Sequence, residues 1–151
     1  MAHAETNLRP LLRLGTSILG EQLLLPKLRE LAILRVAKLS KAPYEWVQHV
    51  PIGLAVGMSK EQIAALDRGD AQAACFDEVE KLVLRFTDEV VRDVGCSDAT
   101  FAAMAAKLST RELVELVLAI GFYMTMARLM ETFGIDIEPG VGDKILAKMK
   151  G

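Results

Sequence analysis

The chain has 151 residues, a usual size for one domain and enough to bury roughly two thirds of its unfolded surface. Hydrophobic residues make up 52% but aromatics only 5%, so a core built from this chain must be aliphatic. A net charge of −2, from 18 basic and 20 acidic residues, argues against a nucleic-acid surface and against a polybasic membrane patch.

The start, MAHAETNLRP, lacks the apolar core of a signal peptide, and a cytoplasmic protein is expected. Leu8 to Leu14 reads as a short amphipathic helix. Pro26 marks the first turn of a helix reaching about Leu39. Pro43 opens the next, which runs to Gly57, a natural C-terminal stop. Ser59 to Gln62 has capping-box spacing. Apolar positions 79, 82, 83, 86, 90, 91 and 94 form a helical stripe, with Gly95 as its end. Ser97 then caps DATFAAMAAKL. Ser109 to Glu112 is a second capping box and starts a long apolar helix to about Phe133. Within it Leu113 to Ala127 is the most apolar stretch, but Glu115 interrupts it and it is too short to span a bilayer. No strand pattern, internal repeat or long linker precedes a tail from Asp136. The expectation is one all-α domain over 1–151, a bundle of six to eight helices.

Cys75 and Cys96 match neither a metal site nor a CxxC pair. With two histidines, one of them His3 at the chain start, a zinc site is not expected. There is no Gly-rich phosphate loop and no serine nucleophile elbow.

KAPYEWVQHV, Lys41 to Val50, concentrates the only Trp, one of two Tyr and the interior His beside a carboxylate. Glu45 and His49 stand four apart on one helical face, continued by Ile52 and Val56. Pro51 removes a backbone donor there, so a kink is expected. On the preceding helix Lys27, Arg35 and Lys38 fall on one side, read as solvated. Glu30 falls elsewhere, among Ile33, Leu34 and Ala37, where a carboxylate is costly without a partner. Two plain alternatives stand beside this: Glu30 as a solvated charge at a helix start, and Glu45 and His49 as a surface pair beside a half-buried Trp46. An imidazole beside carboxylates is what general acid–base chemistry uses.

Leu28 to Ile63, LRELAILRVAKLSKAPYEWVQHVPIGLAVGMSKEQI, resembles the core motif of the carboxymuconolactone decarboxylase family, which also includes alkyl hydroperoxidase D. The resemblance continues more weakly through Phe76–Val94 and Leu113–Gly134. It implies an alkyl hydroperoxidase D-like all-α fold, assembled as a homotrimer or homohexamer. The peroxidase branch carries E-x11-C-x2-C-x3-H. In this sequence the Glu falls on Glu30, the two Cys positions on Ala42 and Glu45, and the His on His49. The proton relay is kept and both thiols are gone, which argues against thiol peroxidase chemistry.

The decarboxylase branch keeps a Glu and a His without the thiol pair, and its reaction needs no cofactor. The resemblance thus implies a small lactone or carboxylated ring as substrate. His49 would be the proton donor, and Glu30 or Glu45 its orienting carboxylate. Arg35 or Arg128 would hold the substrate carboxylate, and Tyr44 and Trp46 would form a flat apolar wall. Peroxidase activity through Cys75 or Cys96, and a silent oligomeric binding protein, remain as alternatives.

Overall fold

The computed structural model describes residues 3–137, and most of the tail expected from Asp136 lies outside them. Among the described residues there are seven helices and no strand. They are α1 (Glu5–Gly20), α2 (Pro26–Leu39), α3 (Pro43–Ala55), α4 (Lys60–Asp67), α5 (Glu78–Asp93), α6 (Asp98–Ala105) and α7 (Thr110–Thr132). The all-α bundle expected from the sequence is what the chain forms.

Local chemistry sets the boundaries. Prolines open α2 and α3 at their first helical positions, where a missing N–H costs nothing. Ser59/Gln62 and Ser109/Glu112 are complete capping boxes, and so is Asp77/Glu80, which was not singled out from the sequence. α3 stops at Ala55, where Gly57 adopts φ +98°. Two other turns use residues less suited to the left-handed region: Lys41 (φ 52°) and Val94 (φ 69°). Val94, not Gly95, is the cap of α5.

α1 is more than twice the expected Leu8–Leu14 and runs through Pro10 and Gly15. Gly15 is there for contact: a Cβ would sit 2.9 Å from the Phe122 ring of α7.

α2 is the central element, packed by α3, α5 and α7. All ten residues from Leu28 to Ala37 are buried. Its expected solvated side is therefore corrected. Arg35 is 5% exposed and bound across to α5: Nη2 donates to Asp88 Oδ2 at 2.7 Å, and Nη1 to the Gly69 carbonyl at 3.2 Å. Lys27 bonds the buried Glu80 at 2.6 Å and Lys38 bonds Asp67 at 2.9 Å, both lysines staying partly exposed. Wheel geometry could not reveal partners carried by other helices.

α7 spans 23 residues, with a mean hydropathy of 1.7 over its most apolar 18-residue window. By length and composition it is long enough to cross a membrane, a point missed by counting only Leu113–Ala127. Its inner face, including Leu116, Ile120 and Tyr123, is committed to the bundle. Val114, Val117 and Leu118 stay exposed.

Candidate functional site

The turn between α2 and α3 reverses the chain tightly. Lys41 in the left-handed region lets Ala42 N–H reach back to the Ala37 carbonyl at 2.9 Å, the six-to-one closure of a helix end. Glu30 and His49 then face each other across the α2–α3 seam. His49 Nδ1 lies 2.7 Å from Glu30 Oε2. Counting rise along the axes predicts an offset of about 6 Å, with a tilt, a water or Glu45 needed between them. The contact is direct instead, because an offset of that order lies within the joint reach of a glutamate and an imidazole.

Glu30 is fully buried, and His49 keeps 6% of its surface. Arg29 (2%) approaches the other carboxylate oxygen, with Nε 3.4 Å from Glu30 Oε1. An ionised carboxylate accepts only, so beside Arg29 it fixes the proton on Nδ1 and leaves Nε2 as the basic nitrogen. Tyr123 of α7 closes the third side. Its ring meets the imidazole edge-on, with centroids 4.6 Å apart and planes at 85°. Burial pushes the Tyr123 phenol well above its ordinary range, and Glu30 adds to this while Arg29 opposes it. The hydroxyl therefore stays protonated.

Glu45 lies one turn before His49 on the same buried face, 4% exposed. Neither of its carboxylate oxygens has a hydrogen-bond partner among the described residues. Burial pushes its carboxyl up, its own backbone amide and His49 pull it down, and Glu131 of α7 pushes it up further, for a net rise. Glu115 shows the contrasting, satisfied case. Burial raises it too, but Arg111 and the Leu24 amide, each 2.8 Å away, outweigh this and hold it below its ordinary range. Glu115 fastens the α1–α2 loop to α7, whereas Glu45 fastens nothing. Gln48 Oε1 and Arg29 Nη2 are the other orphaned polar atoms near this seam.

The other expected residues are placed differently. Arg35 lies about 140° around α2 from Glu30, on the α5 side, and is spent on Asp88. Arg128 is about 140° around α7 from Tyr123, exposed, with Nη1 donating to the Met124 carbonyl at 2.7 Å. Neither joins the cluster. Trp46 lies under the Lys38 ammonium, 4.9 Å from the ring centroid, and Tyr44 is half-buried in the first turn of α3. Arg29 and Tyr123 were missed. Arg29 had the same signal as Glu30, a charge whose next-turn neighbours, Ala32 and Ile33, are apolar. Tyr123 had a weaker one, a lone phenol among Ala119, Ile120 and Ala127.

Two surface concavities lie elsewhere, one along α1 around Arg9 and Arg13, the other beside α5 around Arg85 and Asp88. Neither includes a residue of the cluster. No group of three or more His, Cys, Asp or Glu suited to a metal occurs among the described residues. Cys75 and Cys96 are both unbridged and half-buried.

Several solved structures share the fold. A protein of unknown function from Agrobacterium tumefaciens, described as a candidate antioxidant defence protein AhpD, is 20% identical, with a TM-score of 0.81 over 91% of this chain and 94% of that one. An uncharacterized peroxidase-related protein from Silicibacter sp. TM1040 is 15% identical, with a TM-score of 0.79 over 89% and 72%. Another, an alkylhydroperoxidase AhpD core from Ralstonia eutropha JMP134, is 14% identical, with a TM-score of 0.81 over 93% and 75%. No curated protein matches the chain. Residues 7–89 match the sequence profile of the carboxymuconolactone decarboxylase family, more than half of the chain and all of the α2–α3 site. The chain belongs to the carboxymuconolactone decarboxylase family.

Proposed function

We propose that this chain is a cofactor-independent acid–base enzyme, a lyase resembling carboxymuconolactone decarboxylase, acting on a small lactone or carboxylated ring compound. The observation that carries this is the buried contact of 2.7 Å between Glu30 and His49. Both carboxylate oxygens of Glu30 are already engaged, Oε2 by His49 and Oε1 by Arg29, so it acts through the imidazole as a positioning residue. His49 retains exposure, and with Nδ1 held by Glu30 it offers Nε2 to the ligand. In a decarboxylation the bond to the departing CO2 breaks and its electron pair passes into the lactone carbonyl as an enolate. Protonated His49 then delivers its Nε2 proton to carbon and recovers one from water. Glu45 supplies a second carboxyl one turn away.

The AhpD and peroxidase-related names of the structural relatives suggest the other branch of chemistry. Thiol peroxidation needs a thiolate at the site, and the two motif positions hold Ala42 and Glu45. Assays of turnover on muconolactones and on organic hydroperoxides separate the branches. Lactone turnover is expected, with Glu30→Gln and His49→Asn each abolishing it and the double variant no worse than either, since the two act as one unit. Near-normal rates in both single variants would remove the site assignment and favour a binding protein. The exposed Val114, Val117 and Leu118 of α7 support self-association as a trimer or hexamer. A monomer mass by light scattering would refute it.

A further inference from the structure

We propose that Arg29 is the anion-binding residue of this site: its free guanidinium nitrogen Nη2 takes an anionic oxygen of the ligand, carboxylate or enolate, beside the Glu30–His49 pair. The inference deepens the reading of the site as acid–base, but it concerns binding, so the two can fail separately.

Three observations carry it. Arg29 is 2% exposed, and its Nη2 has no partner among the described residues. A guanidinium cannot shed its charge to relieve this, and it presents donors in a fixed fork that fits an oxyanion. Second, Arg29 and His49 flank one carboxylate, Arg29 at Oε1 and His49 at Oε2. A ligand oxygen at Nη2 is therefore held next to the group that moves the proton. Third, the charges leave room for an anion. When His49 is protonated, Glu30 alone faces two cations, Arg29 and the imidazolium. Glu45 makes no hydrogen bond with Arg29, and burial drives its carboxyl towards the neutral form, so it does not cancel the excess. The other two arginines considered from the sequence are spent on Asp88 or turned to solvent.

The chain has two histidines, so imidazole NMR signals of the full-length protein can be assigned by His3→Gln alone. The probe is acetate, with neutral acetamide as control, at constant ionic strength. Acetate should shift the His49 resonances saturably and leave His3 unmoved, and acetamide should move neither. Arg29→Lys keeps the charge but loses the fork, and should weaken the apparent affinity at least tenfold. Arg29→Met should abolish it. Should Arg29→Met not fold, Arg29→Lys decides. The proposal is overturned if acetate leaves His49 unmoved, if it moves both histidines alike, or if Arg29→Lys binds as tightly as the parent. Acetate binding without lactone turnover would leave Arg29 in place and remove the decarboxylase reading.

Discussion

Replacing Glu45 by Leu should make the protein more stable and less active. The carboxyl is 4% exposed, both oxygens lack partners, and leucine has a similar volume. An unsatisfied buried polar group costs about 1–3 kcal/mol, and more when charged. For a chain of this size each kcal/mol moves the melting temperature by about 2–4 °C, so Glu45→Leu should gain about 2–12 °C at pH 8. The pH dependence has a definite sign. Glu45 titrates above its ordinary value of 4.5 in the folded protein, chiefly because of burial. Between 4.5 and the raised value the folded state holds more protons than the unfolded one, so parent stability falls as pH rises through that window. The advantage of Glu45→Leu should thus be largest at pH 8 and shrink towards pH 4.5. Urea denaturation of both proteins across that range measures it. If Glu45→Leu destabilises equally at every pH, the carboxyl has a structural partner, and the argument for a functional group kept at a cost in stability fails.

Arg35→Met should cost about 1–3 kcal/mol in urea denaturation, because the partly exposed Asp88 loses its bidentate partner and keeps only Arg92 at 3.7 Å, yet it should leave the His49 imidazole signals unchanged, because Arg35 faces α5. Val94→Gly should raise stability by about 1 kcal/mol in the same assay, since a β-branched residue now occupies a left-handed φ of 69° on an exposed turn. A Cys75→Ser, Cys96→Ser double variant should keep whatever turnover the parent shows. Loss of activity with intact folding would bring thiol chemistry back.

What the sequence disclosed was mostly local. Prolines, Ser59, Ser97 and Ser109 announced helix starts because capping is settled within four residues. Glu30 and His49 were legible because they lie on consecutive helices joined by a tight turn, and because their positions match a family motif. Arg35 was misread because its partner, Asp88, arrives on α5, and no wheel drawn on α2 contains it. Tyr123 escaped for the same reason, since its ring reaches His49 from α7. Charges on a helix say little about solvent until the helices around it are known, and α2 is enclosed along ten consecutive residues.

The motif's two thiol positions sharpen the functional argument. Ala42 is 1% exposed and packs at the start of α3, so its methyl group is part of the core and holds no chemistry. Glu45 has no packing reason to be a carboxylate and no bond that satisfies it. A core position that carries an ionisable group without a structural partner is disfavoured by stability, and ligand chemistry is the commonest reason such a group persists. On the proposed reading, a group that would exchange electrons in the peroxidase branch has been replaced by one that can only exchange a proton, one turn from an imidazole already poised to do the same. Glu45→Gln separates this from inert substitution. It keeps the shape and removes the proton, so lactone turnover should fall and its pH profile should lose one limb. If Glu45→Gln instead preserves both rate and profile, proton transfer belongs to Glu30 and His49 alone.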